Sequence, residues 1–79
     1  VIDLAIARRE LEAREWIFER ANADGSYAQF VEDKDDSDSR RVEIFSDVVL
    51  LVKPLGEYGG EGRLVVRQFN NLDNLIRNL

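Results

Sequence analysis

The run from Arg40 to Lys53, RRVEIFSDVVLLVK, constrains the fold more than any other part of this chain. It is the densest apolar stretch, and Val42, Ile44, Phe45, Val48, Val49 and Val52 are β-branched or aromatic, which favours strand over helix. Taken as one strand, it puts Val42, Ile44, Ser46, Val48, Leu50 and Val52 on one face. Arg41, Glu43, Phe45, Asp47, Val49, Leu51 and Lys53 then point the other way. A two-residue turn at Ser46-Asp47 gives a hairpin instead, pairing Ile44 with Val49 and Val42 with Leu51. Such turns need positive φ at one or both central residues, and Ser-Asp offers neither Asn-Gly nor a leading Gly. The expectation is a single long strand, bulged or bent near Ser46.

The segment FSDVVLLVK resembles a hairpin of pleckstrin-homology domains over that short stretch alone. Those domains are strand-rich and carry their tryptophan in a C-terminal helix, whereas the single Trp here, Trp16, is N-terminal. The chain is not assigned to that family.

Flanking segments supply the other elements. From Asp3 to about Asn22 there are strong helix formers and no Gly or Pro, with Asp3 as a cap and Gly25 as a stop. Helical spacing gives this segment two apolar stripes: Leu4, Ala7, Leu11 and Phe18 on one side, Ile2, Ile6, Ala13, Trp16 and Ile17 on the other. A surface helix on a sheet needs only one. SYAQFVE, from Ser26 to Glu32, reads as a strand, and EDKDDSD after it as a polar hairpin loop. As a calcium loop that stretch fails, because Asp38 and Ile44 stand where Gly and a bidentate Glu are required. PLGEYGGEG, residues 54–62, is a glycine-rich loop without phosphate-loop spacing, and carries Tyr58. RLVVRQF, from Arg63 to Phe69, is a third strand. Asn70 can cap a short helix whose Leu72, Leu75, Ile76 and Leu79 share one face. The expected fold is α+β in the order α-β-β-β-α: a three-stranded antiparallel meander with a long N-terminal and a short C-terminal helix.

At 79 residues the chain makes one small domain, 1–79, near the size at which a single core leaves little net stability. The absence of Met makes Val1 a processed end, a trimmed terminus or the edge of a larger polypeptide. With neither Cys nor His, the chain lacks the commonest nucleophile, general base and metal ligands, so neither enzyme activity nor a cofactor or metal is expected. Net charge is −5, with eleven acidic and five basic side chains in residues 1–39. That balance repels phosphate, arguing against nucleic-acid or anionic-membrane partners and against a small ribonuclease built on Arg40, Arg41, Arg63, Arg67 and Tyr58. No apolar run approaches the ~20 residues that span a bilayer. Cytoplasm is the default compartment.

Two stripes on one helix ask for two coverings, and a body this small has few elements to provide both. The sequence therefore points to a protein-protein interaction or assembly module, joined to a protein partner or a second copy through Ile2, Ile6, Ala13, Trp16, Ile17 and Tyr58. The alternatives are an acidic inhibitor mimicking nucleic acid, with the carboxylates of residues 10–38 in a basic groove, and a small-ligand or lipid site between helix and sheet. Enclosure of both Leu11 and Trp16 by the same chain, with no neighbour touching either, removes this case for a binding role.

Overall fold

A computed structural model describes residues 2–54 and 62–79. Its elements are α1 (Leu4–Glu12), β1 (Ile17–Ala21), β2 (Tyr27–Val31), β3 (Arg41–Phe45), β4 (Val49–Pro54), β5 (Arg63–Phe69) and α2 (Leu72–Arg77). The fold is α+β, with a short helix at each end of a five-stranded antiparallel meander in the order β1-β2-β3-β4-β5. The sheet has five strands where the sequence suggests three, for two local reasons.

The first lies at Glu15. The Asp3 carboxylate caps α1 by accepting from the amides of Ala5 and Ile6, but the helix stops after Glu12 instead of running to Asn22. Glu15 adopts φ 70, the left-handed region. The Trp16 amide donates to the Leu11 carbonyl and the Glu15 amide to that of Glu12, each at 3.0 Å. These are the paired bonds of a left-handed helix C-cap, usually made with glycine at the turning residue. A non-glycine residue there costs about 1–2 kcal/mol. Offsetting it is burial: Leu11 and Trp16, the two residues joined by the first of these bonds, are 0% and 5% exposed and belong to one core cluster. Segment 17–21 is thereby released to pair with β2, Phe18 opposite Phe30, their rings edge-on at 5.5 Å. Gly25, expected to stop a helix, instead takes φ 75 in the β1–β2 turn. There Asp24 Oδ1 accepts from both the amide and the hydroxyl of Ser26, which holds the Asp24 carboxyl below its ordinary value.

The second lies at Ser46-Asp47, where the expected single strand is a hairpin. Ile44 pairs with Val49 and Val42 with Leu51, and the Phe45 amide donates to the Val48 carbonyl. Among the described residues only Glu15 and Gly25 have positive φ, so the turn closes without the left-handed residues that short hairpins favour. Part of its support is external: the Ile2 amide donates to the Ser46 carbonyl at 2.9 Å.

The turn fixes which side chains are buried together. Ala28, Phe30, Val42, Ile44, Val49, Leu51 and Phe69 form the sheet's contribution to the core, against Ala7 and Leu11 of α1 and Leu75 of α2. Asn71, one residue later than expected, caps α2 by accepting from the Asn74 amide. Leu72 and Ile76 pack against the core, whereas Leu79 is exposed. Among the described residues no helix is long and apolar enough to cross a membrane.

Two outcomes follow for stability. Trp16→Ala is expected to cost about 3–5 kcal/mol by urea denaturation, the range for truncating a buried aromatic. Glu15→Gly is expected to raise stability by about 0.5–1 kcal/mol, part of the left-handed penalty being returned as extra freedom of the unfolded chain.

Candidate functional site

The six positions singled out from the sequence do not form one surface. Trp16 lies in the core and Ile2 packs against it. Ile6 is 43% exposed on α1 and Ala13 is exposed at the helix C-cap. Ile17, 39% exposed, pairs with Val31, so it projects from the face of β1 opposite to Phe18, away from the helices. Tyr58 lies outside the described residues. Leu11 and Trp16 are enclosed by the same chain, so Trp16 is part of the core and not an anchor exposed on a helix. Propensity had merged a helix and an edge strand into one rod.

Among the described residues, the one contiguous run of exposed large apolar side chains lies at the sheet's far edge. Leu64, Val65 and Val66 are 52%, 44% and 52% exposed. They sit on β5, which pairs on one side with β4 and is outermost on the other. Val66 is the extra residue of a bulge, because Leu51 faces Arg67 and Val52 faces Val65. RLVVRQF is legible as a strand, but its edge position depends on where the other four strands lie.

The sheet face away from the helices is mixed, with Val31 and Val52 buried on it beside a polar cluster. Arg20 on β1, Tyr27 and Gln29 on β2, and Arg41, Glu43 and Phe45 on β3 line a cleft of about 440 Å³, together with Val52, Pro54, Gly62 and Arg63. Period-two alternation places 27 with 29 and 41 with 43 and 45. Tyr27 donates to Gln29 Oε1 at 2.7 Å, Gln29 Nε2 donates to Glu19 Oε1 at 2.8 Å, and Arg41 Nε meets the same oxygen at 3.2 Å. Glu43, with its side chain 8% exposed, is paired across β4 by Arg63 Nε at 2.9 Å. The Tyr27 ring lies edge-on to Phe45 at 5.1 Å. Burial first, and the Glu43 charge second, raise the Tyr27 hydroxyl above its ordinary value against the opposing pull of Arg20, so it stays a protonated donor at neutral pH.

Many acidic side chains of residues 10–38 are already engaged. Glu10 pairs with Arg14, Glu12 with Arg8, Glu19 with Arg41 and Glu32 with Arg40. Asp33 and Asp36 accept from the amides of Asp35 and Asp38 within their own loop. Among the described residues no group of three or more acidic side chains is arranged to hold a metal ion. No protein-family model matches this chain, and no curated protein or solved structure matches it either.

The Glu32–Arg40 pair sets an acid dependence. Hydrogen bonding from Arg40, opposed in part by desolvation, holds the Glu32 carboxyl below its ordinary value of 4.5. A depressed folded value means the contribution is complete above the ordinary value and is lost as pH falls through the lower one. Both side chains are about 40% exposed, so screening caps the effect at about 1 kcal/mol. Glu32→Gln is expected to lower the melting temperature slightly at neutral pH, and the gap to the parent should close below the carboxylate range.

Proposed function

We propose that this chain is a non-enzymatic interaction and assembly module whose contact surface is the outer edge of β5, paired with β5 of a second copy. The observation that carries this reading is the run Leu64-Val65-Val66, solvent-exposed on the outermost strand. An edge strand leaves amides and carbonyls unpaired along one side, and soluble proteins usually blunt such edges with charge, shortness or bulges. The two edges of this sheet differ. β1 is five residues long, with Glu19 and Arg20 at its centre and a bulge between Phe18 and Arg20. β5 has seven residues and a bulge, but no charge between Arg63 and Arg67.

Charge favours an antiparallel, two-fold arrangement. Parallel pairing would stack Arg63 on Arg63 and Arg67 on Arg67, whereas antiparallel pairing about the strand centre brings Arg63 near the other copy's Phe69. An acidic inhibitor of a basic groove draws less support, since Glu10, Glu12, Glu19 and Glu32 are neutralised by the chain's own arginines.

Sedimentation equilibrium over a wide concentration range tests the reading. The parent chain should pass from 9.1 kDa towards twice that mass. Val66→Lys should remain at the monomer mass, with stability changed by no more than about 0.5 kcal/mol, as befits an exposed position. A parent that stays monomeric throughout, or a variant that associates equally well, overturns it.

A further inference from the structure

We infer that the cleft on the helix-free face of the sheet binds a small apolar monocarboxylate, its charged head among Arg20, Arg41 and Arg63 and its body against Tyr27 and Phe45. This rests on different observations from the assembly proposed for β5, with which it shares Arg63.

Size, sign and donor supply converge on that ligand. A volume of about 440 Å³ is within the range of small-molecule sites. The chain carries −5 overall, yet the cleft is lined by three arginines and one glutamate, a local reversal of sign. Low-dielectric walls around such a cluster concentrate its field on an entering anion. Glu43 holds Arg63 and Glu19 holds Arg41, so the two carboxylates offset two of the three positive charges. Among the described residues one unit remains, which matches a singly charged head better than a dianion.

The arginines keep donors to give. Arg41 and Arg63 each meet their carboxylate through Nε, and a guanidinium has five N–H donors in a planar fork suited to a second carboxylate. Arg20 differs from the other two in having the Tyr27 hydroxyl, not a carboxylate, as its neighbour. Among the described residues no carboxylate pairs with it, and its guanidinium carbon stands 6.0 Å from the centre of the Tyr27 ring. Tyr27 and Phe45 are half-buried, so each offers the cleft an edge of apolar surface. The wall is set in advance, because β2 and β3 are paired on both sides and Gln29 is pinned between Tyr27 and Glu19. An apolar acid would replace water over these rings and leave its carboxylate at the arginine rim.

The test uses the intact isotope-labelled chain and benzoate, followed by amide chemical shifts. Saturable shifts are expected at Tyr27, Gln29 and Phe45. Benzyl alcohol, with a similar body and no charge, should bind at least about tenfold more weakly, as loss of one charged hydrogen bond implies. Arg20→Gln should weaken benzoate about tenfold with the melting temperature unchanged, since Arg20 is exposed, and Arg20→Lys should recover part of the loss. Raising the salt concentration should weaken benzoate but not benzyl alcohol. The inference is overturned if benzoate gives no saturable shift, if benzyl alcohol or benzylammonium binds as well as benzoate, if phenyl phosphate binds more tightly, or if Arg20→Gln leaves the affinity intact.

Discussion

The hydrogen bond from the Trp16 amide to the Leu11 carbonyl is the contact on which the rest of the architecture depends. It closes α1, forces Glu15 into the left-handed region and turns the chain so that Trp16 returns to the layer Leu11 occupies. Residues 17–21 then lie beside β2 as the first strand of the sheet. Continuation of the helix would satisfy the same backbone groups locally, but it would carry Trp16 away from the core and leave the outer side of β2 unpaired. Burying a large aromatic side chain is worth about as much as, or more than, the backbone penalty at Glu15, so tertiary packing outweighs local preference.

A second closure, at Ser46-Asp47, divides the molecule into an oily side and a wet side. Because the turn has two residues, Val49 and Leu51 join Val42 and Ile44 beneath the helices, and Leu50 and Val52 pass to the other face. A straight strand would group Val42 and Ile44 with Leu50 and Val52 instead. The wet side therefore collects Arg41, Glu43 and Phe45 of β3 next to Tyr27 and Gln29 of β2, and β1 brings Glu19 and Arg20 alongside. Its ion pairs are placed by strand geometry, with Glu43 sunk deeply enough that Arg63 must reach across β4 to meet it.

The meander leaves two edges, and their chemistry differs because their neighbours in the chain differ. β1 is a short continuation of a charged helical segment and inherits Glu19 and Arg20. β5 leads into α2, whose Leu75 needs the strand's end near the core, and only Phe69 of that strand is buried. Arg67, which donates to Asn78 Oδ1 and stands 5.1 Å from the Phe69 ring, ties β5 to the end of α2. The aliphatic residues beyond that anchorage are left facing water.

Much of this was legible in the sequence, because some signals are local. The strand character of 27–31 and 63–69, the capped apolar face of α2, the Asp3 cap and the alternation that gathers Tyr27 with Gln29 and Arg41 with Glu43 and Phe45 follow from spacing and side-chain chemistry alone. The paired reading of Ile44 with Val49 was available too, though turn preference spoke against it. What only the tertiary structure decided was where α1 ends, that Trp16 is core, that β5 is an edge and that three arginines share one cleft. Each depends on contacts between residues distant in the chain, and a helix propensity summed along 3–22 has no knowledge of the strand that residues 17–21 will meet.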